Sequence, residues 1–361
     1  MVRGHFASLV AFAQNSIAGR FWTWPSFWLE ACLGVKREYS VRCERWPMRA
    51  PFRITGHVFT ALDCVLVEIA EGGCIGRGEA AGVYYLDDTP ERALEQIQAL
   101  APEIEAGVDR ETLQGLLPPG GARNALDCAL WDLECKLSRQ SIWRRTGLES
   151  RPLTTCQTIG VLPSPADSAA AAAALRGYRL LKLKLDDDRP VDRVRAVRAA
   201  RPDARIIVDA NQGFTLSLLQ ECLPEFSRCG VELVEQPLPR GEDSALEGMP
   251  REVPICADES CLHRGDLDEA ARRYDVINIK LDKAGGLTEG LLLADEILAR
   301  GLGVMVGNML GTSLAMAPAF VVALKGRIAD LDGPVALKSD RIAALAYNQG
   351  VVSPFSSDLW C

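Results

Sequence analysis

Hydrophobic and polar positions alternate most clearly in the segment RLLKLKLDDD, residues 179–188. Alternation with a period of two places Lys182 and Lys184 on one face of a predicted strand and the leucines on the other face. The leucine face is expected to pack against covering helices. The two ammonium groups therefore point into a polar interior, which must supply acidic partners.

Four further strand-like segments follow, and each carries a charged residue at or near its end: Asp209 in IIVDAN, Glu235 in VELVEQPLP, Asp258 in PICADES and Lys280 in VINIKLDKAGG. Counted from Lys184, the steps between these residues are 25, 26, 23 and 22 positions. Each step is about the length of one strand, one helix and two short loops. This regular spacing predicts an α/β fold of successive parallel βα units, a modified (β/α)8 barrel of the TIM type.

Three of these residues are carboxylates on separate strands, namely Asp209, Glu235 and Asp258. Since the carboxyl ends of barrel strands meet on one rim, we expect the three side chains to converge there. An all-oxygen ligand set suits a hard octahedral cation better than Zn²⁺. The sequence therefore predicts one Mg²⁺ per subunit, with Mn²⁺ as an alternative, between strands that carry lysines for proton transfer.

The remaining segments divide the chain into predicted regions. Antiparallel strand patterns between residues 39 and 80, with a predicted loop at 47–62 between the first two strands, precede two predicted helices, 90–105 with Thr89 as its N-cap and 122–138. The segments LTTCQTIGV, 303–309 and 327–333 are predicted to be strands one, seven and eight of the barrel. The predicted regions are a disordered or loosely docked extension (1–38), an α+β capping domain (39–150), the barrel (151–336) and a tail that returns to the capping domain (337–361).

Composition narrows the choice of partners and compartment. The chain has 361 residues, 48% of them hydrophobic, and a net charge of −8, so nucleic acid is excluded as an expected partner. No apolar run reaches the ~18 residues of a membrane span. The 12 cysteines are scattered without a CxxC pair, which indicates reduced thiols in a cytoplasmic protein, and none is assigned to a metal or a disulfide.

Taken together, the motifs resemble the enolase superfamily, in its muconate-lactonizing branch, and specifically the dipeptide epimerases of the Ala-Glu type. The resemblance extends from about residue 39 to 345. Besides the strand motifs above, it includes GRGEA (76–80), ARNALDCALWDLECK (122–136), GNMLGTS (307–313) and DLDGP (330–334). It implies a capping lobe over the barrel mouth and a small dipeptide as the substrate, with a homo-oligomer possible.

The lysines are expected to carry the proton chemistry. We predict that Lys184 and Lys280 act on opposite faces of the substrate and that Lys182 contacts the substrate carboxylate. Lys283 competes for the role of Lys280, but it follows the strand instead of belonging to it, and the resemblance also favours Lys280. A lysine beside a metal ion and another cation should have a lowered pKa, as a general base requires.

Several further residues are predicted to contact the substrate. The resemblance implies that Asp330 and Asp332 hold its α-amino group, and Thr158 and Ser313 are weaker candidates. Phe59 stands where the family carries the arginine that receives a glutamate side chain, which predicts a preference for uncharged C-terminal residues unless Arg53 reaches the pocket. Glu259 is expected to support the metal ligands without binding the metal.

Three alternative functions remain open at this point. An N-acyl amino acid racemase would use the same proton chemistry. A lyase similar to muconate cycloisomerase or o-succinylbenzoate synthase would also do so, although its substrate has no ammonium group for the DLDGP motif. A metal-dependent binding protein without catalytic activity is the third.

Overall fold

The computed structural model describes residues 37–361, and the predicted extension therefore lies almost entirely outside the described residues. The described chain begins with an antiparallel sheet of three strands, β1 (Glu38–Ile54), β2 (His57–Glu71) and β3 (Cys74–Ala80), in the order β1-β2-β3. The antiparallel pattern is confirmed, but the predicted loop at 47–62 is wrong, because β1 continues to Ile54 and β2 begins at His57.

Five helices follow, α1 (Pro90–Ala99), α2 (Ala101–Glu105), α3 (Arg110–Leu116), α4 (Gly121–Ser138) and α5 (Ile142–Thr146). The Thr89 hydroxyl accepts a hydrogen bond from the Arg92 amide, so the predicted N-cap is confirmed. The single helix predicted over 90–105 is wrong, because the chain breaks at Leu100 and restarts with Pro102 in its first turn. Helix α3 was missed altogether.

Helix α4 packs directly on β3, and two glycines of the GRGEA motif make this possible. A Cβ atom on Gly76 would collide with the backbone oxygen of Ala129, and one on Gly78 with that of Ala125. Only glycine therefore allows the helix and the strand to come this close.

The predicted first barrel strand divides into two short strands. Strand β4 (Leu153–Thr154) pairs antiparallel with the C-terminal segment, whereas β5 (Gln157–Ile159) enters the barrel sheet. The prediction of one continuous strand over 153–161 is therefore wrong. Its first two residues belong to a separate three-stranded sheet.

The main sheet has eight parallel strands in sequential order: β5, β6 (Leu180–Lys184), β7 (Arg205–Asp209), β8 (Val231–Glu235), β9 (Ile255–Ala257), β10 (Val276–Ile279), β11 (Gly303–Val306) and β12 (Ile328–Ala329). A parallel bridge between Thr155 and Ala329 joins the first and last strands, and Cys156 N donates to Ala329 O over 2.8 Å. The predicted TIM-type barrel is confirmed.

The connecting helices are α6 (Pro165–Ala174), α7 (Pro190–Ala200), α8 (Leu216–Arg228), α9 (Leu267–Arg273), α10 (Leu281–Ala284), α11 (Leu287–Ala299) and α12 (Ser313–Ala323). The connection from β8 to β9, which the structure describes in full, contains a 3₁₀ turn at Ser244–Leu246 in place of an α-helix. The strictly regular βα repeat is thus interrupted once inside the barrel.

Alternation along the strands sorts the barrel interior into two layers. The lower layer is an apolar cluster of Cys156, Leu180, Ile207, Leu233, Cys256 and Met305. Two residues further along β6, β7 and β8 stand Lys182, Asp209 and Glu235, which face the same interior. The leucines between these positions, Leu181 and Leu183, pack into the core beneath the helices, as predicted. The apolar layer closes the floor beneath the polar residues.

The C-terminal segment forms β13 (Tyr347–Asn348) and β14 (Val351–Val352) and then reaches β3 and α4. The buried indole of Trp360 donates to the backbone oxygens of Arg77 and Cys128, both over 3.1 Å. These contacts fit a tail that returns to the first lobe, although the domain boundaries themselves stay a prediction. Among residues 37–361, no helix is both long enough and apolar enough to span a membrane.

Candidate active site

Lys182 lies at the centre of the upper layer, surrounded by carboxylates. Its Nζ lies 3.0 Å from Asp209, 2.7 Å from Glu235 and 2.8 Å from Asp330. Burial alone would lower the pKa of Lys182, but these acids outweigh it and raise the pKa well above its usual value. Lys182 therefore carries a fixed positive charge at the floor of the cavity.

Lys184 and Lys280 reach the same cavity from opposite sides. Lys184 Nζ lies 2.6 Å from Asp209 Oδ2 and donates to Asn211 Oδ1 over 2.9 Å. Lys280 Nζ donates to Asp258 Oδ2 over 2.7 Å. Three strands separate β6 from β10 in either direction around the eight-stranded barrel. The two amino groups thus reach one cavity from opposite sides of the barrel.

The contacts of Lys283 exclude it from the proton-transfer role for which Lys280 is the other candidate. Its ammonium group is fully buried and donates to Asp258 Oδ1, to Asp258 O and to the backbone oxygens of Cys261 and Asn278. An ammonium group has three protons, so four acceptors saturate it. Lys283 does not line the cavity, whereas Lys280 does.

The expectation of a lowered lysine pKa concerns a lysine beside a metal ion and another cation, and it stays a prediction. Burial would lower the pKa of Lys280, but the carboxylates of Asp258 and Glu235 outweigh it and raise the pKa above its usual value. The prediction assumed a cation beside the lysine, and here its nearest charged neighbour is an anion. The surroundings of Lys280 must change before it can act as a base.

The pKa values of the buried carboxylates in the upper layer are shifted in opposite directions. Burial would raise the pKa of Asp209, yet Lys182 and Lys184 lower it to about 2. Burial and the charge of Asp209 raise the pKa of Glu235 to about 7, and burial and Asp258 raise that of Glu259 to about 8. This upper layer thus holds more acidic groups than its lysines neutralise.

The three predicted metal ligands lie side by side on adjacent strands, but ammonium groups stand between them. Within the described residues, no three His, Cys, Asp or Glu side chains close around a common point. Lys182 occupies the space between Asp209 and Glu235. The donor set nevertheless fits a hard divalent cation, because all three side chains offer oxygen and the space between Asp209 and Glu235 already holds a positive charge, the ammonium group of Lys182.

Asp330 and Asp332 both line the cavity at the end of β12. Asp330 Oδ2 accepts from Lys182, whereas its Oδ1 is buried without a hydrogen-bond partner. Asp332 Oδ2 accepts from the backbone amide of Thr158 over 2.7 Å, and burial, with Asp330 second, raises its pKa to about 7. Thr158 also lines the cavity, so the structure brings these three predicted residues together.

The N-terminal lobe supplies an apolar wall of Phe52, Ile54, Phe59, Tyr84 and Tyr85. The ring of Phe59 lies 5.5 Å from that of Tyr84 in an edge contact. Arg53 stands between two wall residues on β1, so its side chain lies on the other face, where it is exposed. Among the described residues that line the cavity, the cations are Lys182, Lys184 and Lys280.

Ser313 is the predicted substrate contact that the structure does not bring to the cavity. It is fully buried at the start of α12, where its hydroxyl donates to Asp340 Oδ2 and its amide donates to Asp340 Oδ1. Its side chain is thus engaged in fixing the helix terminus, and we assign it no contact with substrate. The prediction failed because a position after a strand does not define the direction of a side chain.

Three amide side chains at the site were missed. Asn211 holds Lys184, Asn278 donates to Glu235 Oε1 over 2.7 Å, and Asn308 donates to the backbone oxygen of Asp330 over 2.6 Å. A signal existed for one of them, because Asn278 precedes Lys280 by two residues in an extended segment and therefore shares its face, whereas Asn211 has φ +43° and lies beyond the end of β7.

The chain was compared with known proteins. Residues 36–147 match the family described as mandelate racemase / muconate lactonizing enzyme, N-terminal domain, and residues 165–338 match the enolase C-terminal domain-like family. An L-Ala-D/L-Glu epimerase from Escherichia coli is 41% identical over 87% of this chain and 98% of its own length. An N-acetyl-D-glutamate racemase from Pseudoalteromonas is 37% identical over 82% and 94%.

Solved structures give the same picture. An enolase family member from Agrobacterium tumefaciens, solved with sodium and L-Ala-L-Glu, has a TM-score of 0.87 at 42% identity and covers 90% of this chain and 100% of its own. A dipeptide epimerase from Methylococcus capsulatus, solved with Mg and L-Arg-D-Lys, has a TM-score of 0.82 at 29% identity, over 88% and 97%. The chain thus belongs to the dipeptide epimerases of the enolase superfamily, in its mandelate racemase and muconate-lactonizing branch.

Proposed function

We propose that the protein epimerises dipeptides by removing and returning the proton on the α-carbon of the C-terminal residue. The observation that carries this proposal is the pair Lys184 and Lys280, which reach one cavity from opposite sides of the barrel. A proton removed by one lysine and returned by the other inverts the α-carbon. A single base on one face would return the proton with the original configuration.

Each lysine already has a partner that fixes its position. Asp209 and Asn211 hold Lys184, and Asp258 holds Lys280. The lysine that acts first must be neutral and the other must be charged, so the two exchange protonation states in each turnover. Lys182 keeps its charge and is available to attract the substrate carboxylate.

The residues proposed to hold a divalent cation are Asp209, Glu235 and Asp258. A bound Mg²⁺ would stabilise the negative charge that develops on the substrate carboxylate when the α-proton leaves. The presence of Mg in a related dipeptide epimerase supports this choice. Lys182 would have to leave the space between Asp209 and Glu235, which frees its ammonium group for the substrate.

The experiment that tests the function is incubation of a dipeptide library with the enzyme and Mg²⁺ in D₂O. Mass spectrometry should detect one deuterium at the α-carbon of the C-terminal residue, and chiral chromatography should detect both epimers. Exchange in N-acyl amino acids alone would support the racemase instead. Release of an unsaturated product would support a lyase.

The racemase is the second candidate, because one relative is an N-acetyl-D-glutamate racemase. The two substrate classes differ in one group that the site can distinguish. A dipeptide presents an ammonium group, whereas an N-acyl amino acid does not. The carboxylates of Asp330 and Asp332 in the cavity wall favour the dipeptide.

We expect Asp332→Asn to lower kcat/KM for dipeptides by about 10- to 100-fold, the worth of one charge-assisted hydrogen bond. Asp330→Asn should act in the same direction, although it also weakens the contact with Lys182. Turnover of matched N-acetyl amino acids serves as the internal control and should fall much less. Equal losses on both substrate classes would favour the racemase.

A further expectation concerns the C-terminal side chain of the substrate. The wall of Phe52, Ile54 and Phe59 offers no cation to a glutamate carboxylate, and burial of an unpaired carboxylate costs several kcal/mol. We therefore expect a higher kcat/KM for L-Ala-L-Leu than for L-Ala-L-Glu. Phe59→Arg should raise the relative rate on L-Ala-L-Glu, and Arg53→Ala is the control. A clear preference of the wild type for L-Ala-L-Glu, as the name of the Escherichia coli relative suggests, would contradict this expectation.

We also propose a cytoplasmic enzyme. The support is that all eleven cysteines among the described residues are free thiols, most of them buried, as in proteins of reducing compartments. A homo-oligomer stays a prediction, and size-exclusion chromatography with light scattering tests it.

A further inference from the structure

The loop of residues 81–88 covers one side of the cavity. Val83 and Asp88 pair across its base, with Val83 N donating to Asp88 O over 2.9 Å and Asp88 N to Val83 O over 3.3 Å. A 3₁₀ turn, Tyr84–Leu86, forms its tip, and the rings of Tyr84 and Tyr85 line the cavity. The pairing makes the loop a closed unit, so whatever holds its base also determines where both rings lie.

Two carboxylates hold that base. Asp282 Oδ1 accepts from the amides of Ala81 and Gly82, each over 2.9 Å. At the other end of the loop, Asp88 Oδ2 accepts from the amide of Gly121 over 2.7 Å. The second contact lies within the N-terminal lobe, whereas the first crosses to the barrel. Asp282 is therefore the link between the loop and the catalytic strands.

Asp282 belongs to α10, a single helical turn that has Lys280 as its N-cap and contains Lys283. This turn makes three contacts of different kinds: Lys280 lines the cavity, Asp282 binds the loop, and Lys283 binds Asp258. We propose that Asp282 is a positioning residue that holds the loop 81–88 over the cavity, in a fixed relation to Lys280. Only the expected effect on turnover rests on the proposed function. The contact between Asp282 and the loop does not depend on it.

The backbone at the base of the loop requires a glycine at position 82. Gly82 has φ +76°, and a Cβ atom there would collide with the backbone oxygen of Asp88. This backbone conformation turns the chain into the loop directly after the two amides that Asp282 binds. Asp282 is 5% exposed, and burial raises its pKa to about 7. A buried carboxylate is costly unless it is well hydrogen-bonded, and here the two loop amides supply that compensation.

A matched control exists in Asp127 of α4. Its carboxylate is also fully buried, and its Oδ2 accepts from the Thr288 amide at the start of α11 over 2.9 Å. Asp127 therefore joins the same lobe to the same barrel, but it touches neither the loop nor the cavity. Loss of Asp127 should cost stability of a similar kind without releasing the loop.

The test compares Asp282→Ala, Asp282→Asn and Asp127→Ala by hydrogen exchange of the loop amides, by chymotryptic cleavage at Tyr84 and Tyr85, and by kinetics. We expect Asp282→Ala to accelerate exchange at Ala81 and Gly82 at least tenfold and to accelerate cleavage. Asp282→Asn should lie between Asp282→Ala and the wild type, because an amide oxygen accepts weaker hydrogen bonds than a carboxylate. Asp127→Ala should accelerate exchange at Thr288 alone.

In kinetics, Asp282→Ala should raise KM for the dipeptide about tenfold with a smaller change in kcat, since substrate binding must then order the loop. Equal exchange at Ala81 and Gly82 in the Asp282→Ala and Asp127→Ala variants would overturn the proposal, and so would any other ranking of the two Asp282 variants. Exchange and cleavage do not require turnover. Absence of epimerase activity in the wild type would therefore refute the proposed function and leave the role of Asp282 to be decided by these two measurements.

Discussion

Lys184→Ala and Lys280→Ala should each abolish epimerization, with kcat falling by about 10²- to 10⁴-fold, the usual contribution of a positioned general acid or base. The reason is geometric. The two lysines stand on strands that face each other across the barrel, so neither can reach the side of the α-carbon that the other serves. Lys182 and Lys283 cannot replace either lysine. Lys182 is paired with Glu235, and Lys283 donates to the backbone oxygen of Cys261.

The two variants should differ from each other in a diagnostic way. With one lysine left, the enzyme can still remove and return a proton on one face, so one stereoisomer of the C-terminal residue should exchange its α-proton with D₂O without inversion. The other variant should exchange only the opposite stereoisomer. Proton NMR of the L,L and L,D dipeptides in D₂O measures both rates.

Lys325→Ala provides a matched control, because Lys325 pairs with Asp295 on the surface, away from the cavity. Its kcat and its exchange rates should equal those of the wild type. Near wild-type interconversion of both stereoisomers by either active-site variant would show that the two-base assignment is wrong. Exchange of both stereoisomers by one variant would mean that a single base serves both faces.

Much of the fold and of this site follows from the alternation of apolar and polar residues along the strands. The sequence places Lys182, Asp209 and Glu235 two residues after apolar positions on successive strands, and in the barrel those apolar positions form the floor beneath the charges. Alternation fixes the face of each strand, and parallel connections fix the rim. No knowledge of tertiary contacts is needed for either step.

Local patterns did not predict the breaks and the short elements. Most residues of 90–105 favour a helix, and the break at Leu100 has one local signal, Pro102, which stands in the first turn of α2. Strand β4 reads as the start of the first barrel strand, but its partner is β14, almost two hundred residues later. Pairing at that distance in the chain leaves no local signal.

The charge states of the site were also beyond the sequence. The expectation of a lowered lysine pKa considered a metal ion and a second cation, whereas the carboxylates of Asp258 and Glu235 outweigh burial and raise the pKa of Lys280. Similarly, Ser313 and Thr158 are both predicted substrate contacts, yet Ser313 is buried at the start of α12 and Thr158 on β5 lines the cavity. Distances between side chains decide such questions, and spacing along the chain does not contain them.

Removal of divalent cations should have the largest effect. Treatment with EDTA is expected to abolish epimerization, and added Mg²⁺ or Mn²⁺ should restore it, because the upper layer of the barrel holds more acidic groups than its lysines neutralise. A cation at 100 times its Kd should also stabilise the folded protein by about 2.7 kcal/mol, which raises Tm by a few degrees. Differential scanning fluorimetry across a Mg²⁺ titration, at constant ionic strength set with Na⁺, measures this shift.

Asp209→Asn should lose both the activity and the Mg²⁺-dependent rise in Tm, whereas Asp127→Asn, whose carboxylate lies outside the cavity, should keep the rise. Full turnover in excess EDTA would contradict the metal requirement, and an equal rise in Tm for both variants would mean that Mg²⁺ binds elsewhere.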